Sequence, residues 1–125
     1  MIVEGFRHGF DEQTWEAAKS EARAVMYKVA RREGMISYSD LVARIVSISL
    51  DAHDHRLDNF LGQIATEDDD AGLGITTVVV VHKTGDQMPG PGFFKMAESQ
   101  GRDISDPVAC WMDELKAVYR QWSKK

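Results

Sequence analysis

The sequence predicts an α+β domain, mostly helical, with a winged-helix-like core, a short sheet and added C-terminal helices. Three observations carry that expectation. Two long stretches, 12–33 and 107–122, repeat apolar residues at three- and four-residue spacing, the period of one helical face. One β-branched run, Ile75–His82, breaks that period and has the composition of a strand. The order helix, brief strand, helix, helix, strand then matches the opening elements of a winged-helix domain, and the terminal helices complete the core.

Each element has a local reason. Asp11 stands where a helix N-cap belongs, and Trp15, Ala18, Ala22, Val25, Met26 and Val29 follow on one face. Lys28, Arg31 and Arg32 suit the negative end of that helix, and Gly34 is a natural stop. Met35–Tyr38 has room for a brief strand only. Ser39 can cap a second helix with Leu41, Val42, Ile45 and Ile48 on its inner face. After a break at 49–53, Leu57, Phe60, Leu61 and Ile64 mark a third helix over about 54–66. Glu67-Asp68-Asp69-Asp70 would oppose the dipole of that helix at its C-terminal end, which predicts that it stops near Thr66 and leaves the acids in a loop. Gly72 and Gly74 release the chain into the strand, 84–87 reads as a turn, and Pro89–Gly92 is a stiff elbow before a short helix containing Phe93, Phe94, Met96 and Ala97. Asp106-Pro107 is a strong helix start, and Val108, Trp111, Met112, Leu115, Val118, Tyr119 and Trp122 form the broad stripe of the last helix, with Lys124 and Lys125 at its end.

Composition sets the outer bounds. A chain of 125 residues, 43% hydrophobic and 28% charged, has the makeup of one globular domain over 1–125 with a core of its own. No apolar run reaches the ~20 residues of a membrane span, so no membrane partner is expected. The opening MIVEGFRHGF lacks the apolar stretch of a secretory signal, and the single cysteine, Cys110, allows no internal disulfide; both favour a cytoplasmic location. The net charge of −5 is concentrated: residues 51–70 hold seven acids against Arg56 alone. Such a block repels a phosphate backbone and favours a basic partner or a cation, unless it is simply a solvated helix end and loop.

The blocks ISYSDLVARI, VVVVHK and PGPGFF, with a tryptophan-containing C-terminal helix, resemble a set of small uncharacterised bacterial proteins over about residues 35–122. Tyr38-Ser39-Asp40-Leu41 is also similar to a helix start in the winged-helix-like DNA-binding domain of O6-alkylguanine alkyltransferases. The Pro-Cys-His-Arg active site of that family is absent and Cys110 has no adjacent histidine, so the resemblance implies a helix-turn-helix arrangement and not alkyl transfer.

Four constellations could carry chemistry. The elbow could present the amides of Gly90, Gly92 and Phe93 to an anion, with His82, Lys83 and Lys95 nearby; its alternative is a rigid turn seating Phe93 and Phe94 in the core. It matches neither a dinucleotide fingerprint nor a P-loop. Asp51, His53, Asp54 and His55 lie close in sequence, but the two histidines fall on different faces of a helix, and Glu67–Asp70 lacks the alternation of a calcium loop, so no metal or cofactor is expected. A nuclease-like arrangement around Lys83 fails at Val81, where an acid would have to hold the metal. A winged-helix reading makes 54–66 the recognition helix, with His55, Arg56, Asn59 and Gln63 facing bases and Arg31, Arg32 and Arg44 as phosphate contacts. The expectation is a non-enzymatic binding or regulatory module contacting protein or DNA, with the stripe of the last helix available for a homodimer. The alternative is a small enzyme or anion-binding protein using His82, Lys83 and the Gly90–Gly92 elbow.

Overall fold

The computed structural model describes residues 6, 7, 10–83 and 87–123. The expected turn at 84–87 lies mostly outside them, as do Lys124 and Lys125. The fold is α+β and mostly helical. Strands β1 (Phe6–Arg7) and β2 (Phe10–Asp11) form an antiparallel pair. Then come α1 (Glu12–Arg31), β3 (Ile36–Ser37), α2 (Tyr38–Ala43), α3 (Arg56–Asp70), a 3₁₀ turn (Thr76–Val79), β4 (Val80–Val81), α4 (Pro91–Ser99) and α5 (Pro107–Trp122). β3 and β4 pair in parallel, Ile36 opposite Val80 and Ser37 opposite Val81. Among the described residues no helix is long and apolar enough to cross a membrane.

The two long helices form where their periodicity puts them. On α1, Trp15, Ala18, Ala22, Met26 and Val29 are all buried, and Trp15 meets Phe60 of α3 edge-to-face at 5.1 Å. On α5, Asp106 is the N-cap: its carboxylate accepts the Ala109 N–H at 3.2 Å, and Pro107 occupies the first turn. The left-handed residue that ends α1 is Glu33, at φ 54°, rather than Gly34, whose N–H donates to the Val29 carbonyl.

Three expectations are corrected. Helix α2 is capped by Ser37, whose hydroxyl accepts the Asp40 N–H at 3.1 Å, not by Ser39, and it ends at Ala43. Ile45 and Ile48 stay buried in the loop that follows, because the carboxylate of Glu21 holds that loop against α1 by accepting the N–H groups of Val46 and Ser47 and the Ser47 hydroxyl. The β-branched run is a strand only at Val80–Val81; Thr76–Val79 winds into a 3₁₀ turn. β3 offers only two residues to pair with, so the remaining backbone groups find other partners. Val78 N–H donates to the Ile75 carbonyl, Ile75 N–H to the Glu114 carboxylate at 3.2 Å, and the Val78 carbonyl accepts Trp111 Nε1–H at 3.1 Å. Every residue from Ile75 to Val81 is buried, so the run is the centre of the core, packed between α1, α3 and α5.

The third correction concerns the acids. α3 does not stop at Thr66; it continues through Glu67, Asp68, Asp69 and Asp70. An acid near a helix C-terminus costs about 0.3–1 kcal/mol against the dipole, whereas a hydrogen bond to a charged group contributes about 1.5–3 kcal/mol. These acids collect several such bonds. Glu67 pairs with Lys19 at 3.0 Å and with Arg23. Asp68, 4% exposed, accepts from Arg23 at 3.1 Å, Tyr27 at 2.9 Å and the Thr76 hydroxyl. Asp69 takes two bonds from Arg102, which also reaches Glu114 at 2.8 Å, and Gln100 spans Asp69 and Asp70. Gly72, at φ 82°, then turns the chain away, with Leu73 N–H closing on the Asp68 carbonyl.

Titration follows from these pairs. Burial, and then hydrogen bonding to Asp68, push the Tyr27 phenol up to about 12. Hydrogen bonds from Arg102 hold the Asp69 carboxyl below its ordinary value. A folded pKa below the unfolded one stabilises at pH above about 3.9 and loses that contribution as pH falls through the folded value. Replacing Arg102 with Gln should therefore cost about 1.5–3 kcal/mol near neutral pH, the range for losing charged hydrogen bonds in a half-buried pair. The difference from wild type should shrink as pH drops below about 4, measured by urea unfolding across a pH series.

Candidate functional site

The site begins at the end of β4. His82 N–H donates to the Met88 carbonyl at 2.9 Å, which closes the chain back on itself and delivers Pro89 and Gly90, both buried. Gly90 N–H donates to the Tyr38 hydroxyl at 2.8 Å, pinning the elbow to the start of α2. The His82 ring lies 5.2 Å from the Tyr38 ring. Burial raises the Tyr38 phenol, and the neighbouring Asp58 charge pushes the same way. Gly90 is the N-cap of α4, which therefore starts at Pro91, earlier than the phenylalanines suggest.

Gly92 faces α3. A Cβ there would stand 3.0 Å from Asp58 Oδ1, so glycine lets the first turn of α4 approach that carboxylate. Beneath the contact is a cavity of about 20 Å³ lined by Tyr38, Asp58, Thr77 and Gly92 among others, room for one water with polar partners. Outside it, α3 and α4 border an open groove of about 710 Å³. Gly62, Gly92 and Met96 lie in it, Asp58 and Asn59 stand towards one end, Thr66 and Ser99 towards the other, and Lys95 on the α4 side.

The residues expected to bind an anion divide. His82 and Lys83 line a separate recess of about 200 Å³ beside β3, with Met35 and Gln87. Gly92 and Lys95 line the α3–α4 groove. The Gly90 amide is occupied by Tyr38, and the side chain nearest Gly92 is an acid. Phe93 is buried and Phe94 half-buried, the two rings packed edge-to-face at 5.2 Å.

The residues expected to meet nucleic acid also divide. α1 is 20 residues long, which is about 30 Å. α3 runs beside it in the same direction, Trp15 against Gln63 and Tyr27 against Asp68. His55, Arg56 and Asn59 thus lie near the N-terminal end of α1, while Arg31 and Arg32 lie at its C-terminal end, where Arg31 sits 5.4 Å over the Trp122 ring. Arg44 caps α2, close to the loop that Glu21 holds. Arg56 stacks over Phe10 and binds Asp54 at 2.7 Å, a pair that draws the Asp54 carboxyl down to about 2. The Gln63 carbonyl turns inward to accept from Trp15 at 2.9 Å and Lys19 at 3.3 Å. His55 and Asn59 remain exposed. Among the described residues no three His, Cys, Asp or Glu side chains come together as a metal site. Cys110 is buried, and burial pushes its thiol up.

Periodicity alone did not single out Tyr38, Asp58 or Gly62, and it marked Met96 only as a helix residue. Gly62 carried a signal nonetheless: it interrupts a helical pattern at a cost of about 0.5–1 kcal/mol relative to Ala. The fold does not require it, since a Cβ at that position would meet nothing within 4 Å. No protein-family model matches the chain, and no curated protein or solved structure shows significant similarity to it.

Two outcomes are expected in urea unfolding. Tyr38→Phe leaves the Gly90 N–H without its acceptor and should cost about 1–3 kcal/mol. Gly62→Ala should instead stabilise by about 0.5–1 kcal/mol.

Proposed function

We propose that this chain is a non-enzymatic binding module, winged-helix-like in its order of elements, that takes a segment of a partner protein into the groove between α3 and α4. The order α1, β3, α2, α3, β4 supports the winged-helix comparison. The observation that carries the binding reading is Gly62. A mid-helix glycine with open space above it weakens α3 and leaves the groove floor flat, which serves a partner and not the fold. Met96 beside it is an adaptable apolar surface. Asp58, exposed and without an ion-pair partner among the described residues, favours a basic residue on the segment. The occupant is therefore a peptide with one apolar anchor flanked by Lys or Arg.

Protein is favoured over DNA by the disposition of the cations. Phosphate affinity needs several Lys and Arg on one surface. Lys19, Arg23, Arg56 and Arg102 are committed to acids of the chain itself, and Arg31–Arg32 lie at the far end of α1 from His55. A cytoplasmic setting accords with a single, buried thiol.

Panning a displayed random-peptide library against the folded chain tests the reading. Peptides with an apolar residue beside a basic one should be enriched. Gly62→Phe and Asp58→Asn should each weaken the enriched peptide about tenfold or more by fluorescence anisotropy. Enrichment that is indifferent to Gly62→Phe, or steeply salt-dependent binding of duplex DNA, would overturn it.

A further inference from the structure

A second surface lies apart from the groove, on α5, none of whose residues line it. Its inner face is Cys110, Glu114, Val118 and Trp122, all buried. Beside that face runs a strip of Val108, Trp111, Met112, Leu115 and Tyr119, at spacings of three and four residues. Val108 is 49% exposed and Met112 43%; the other three are half-buried. The two aromatic residues direct their polar atoms inward: Trp111 Nε1–H donates to the Val78 carbonyl and the Tyr119 hydroxyl to the Gly34 carbonyl. What they leave at the surface is hydrocarbon. Met35, 47% exposed, follows Gly34 and extends the strip.

The charges beside the strip have an order. Asp106, Asp113, Lys116 and Arg120 are all exposed, and none is in an ion pair among the described residues. At 100° per residue they lie on one flank, with the acids in the N-terminal half of the helix and the bases in the C-terminal half. The opposite flank is the buried face. When two helices pack antiparallel, like flanks face each other; when parallel, unlike flanks do. Only an antiparallel pair of α5 helices therefore brings these flanks together, and it sets the acids of each copy over the bases of the other.

We propose that the occupant of this strip is a second copy of the chain, docked through α5 about a two-fold axis near the middle of the helix. Apolar contact between the Met112 and Leu115 regions supplies the attraction, and the Asp113–Lys116 flank sets the direction. This surface is separate from the α3–α4 groove, so either proposal can fail alone.

Sedimentation velocity of the full chain over a concentration series tests it. The expected result is a reversible monomer–dimer equilibrium. Met112→Asp should raise its midpoint concentration about tenfold or more, with helical content unchanged by circular dichroism because the side chain is exposed. Asp113→Lys and Lys116→Asp should each weaken the dimer, and the two together should restore it. Gly62→Phe should leave it unaltered. A chain that stays monomeric throughout, or a dimer indifferent to both Met112→Asp and the charge exchange, would overturn the proposal.

Discussion

The C-terminal turns of α3 hold the rest of the structure together. Four consecutive acids lie there, and neighbouring parts of the chain are fixed by reaching them. Lys19 and Arg23 bring α1 to Glu67 and Asp68. Thr76 brings the buried 3₁₀ turn to Asp68. Arg102 and Gln100 bring the segment after α4 to Asp69 and Asp70, and Arg102 continues to Glu114 of α5. Lys19 is 1% exposed, so its charge is tolerable only because carboxylates and the Gln63 carbonyl surround it. Helix direction, core registry and the middle of α5 are coupled through one charged cluster.

That cluster also redistributes the electrostatics of the molecule. Counted along the chain, residues 51–70 are strongly acidic. In the fold, Glu67, Asp68 and Asp69 of that block meet cations drawn from distant positions. The acidic field facing a partner is weaker than the count, and the cations that could have faced a phosphate backbone are fewer. Asp58, outside the cluster, keeps a local charge at the mouth of the groove.

The elbow and the groove are mechanically joined. Tyr38 fixes Gly90 from α2, and Gly92 lets α4 approach Asp58 of α3. The stiffness of Pro89–Gly92 thus sets the separation of α3 and α4, and with it the width of the groove. The His82 ring lies against Gly90 at the elbow, yet with Lys83 it lines a recess other than the groove. The Gly-Pro density reads as a device for positioning a helix.

Local sequence determined the elements whose causes are local. The periodicity of 12–33, the Asp106-Pro107 start and the stripe to Trp122 correspond to α1 and α5, because a long amphipathic pattern with end signals leaves a chain little choice. The broad class, helical with little sheet, was legible for the same reason. Tertiary contacts decided the remainder. Glu67–Asp70 is helical because Lys19, Arg23 and Arg102, distant in sequence, outweigh an unfavourable dipole. Ile75–Val79 is not a strand because no partner strand among the described residues lies beside it, whatever its β-branched residues prefer. Of the groove residues, Asn59, Gln63, Gly92 and Lys95 stood out in the sequence, but as parts of two separate sites; they and Asp58 come to border one groove only when α4 is laid along α3, and that placement depends on contacts across the chain that no local pattern encodes.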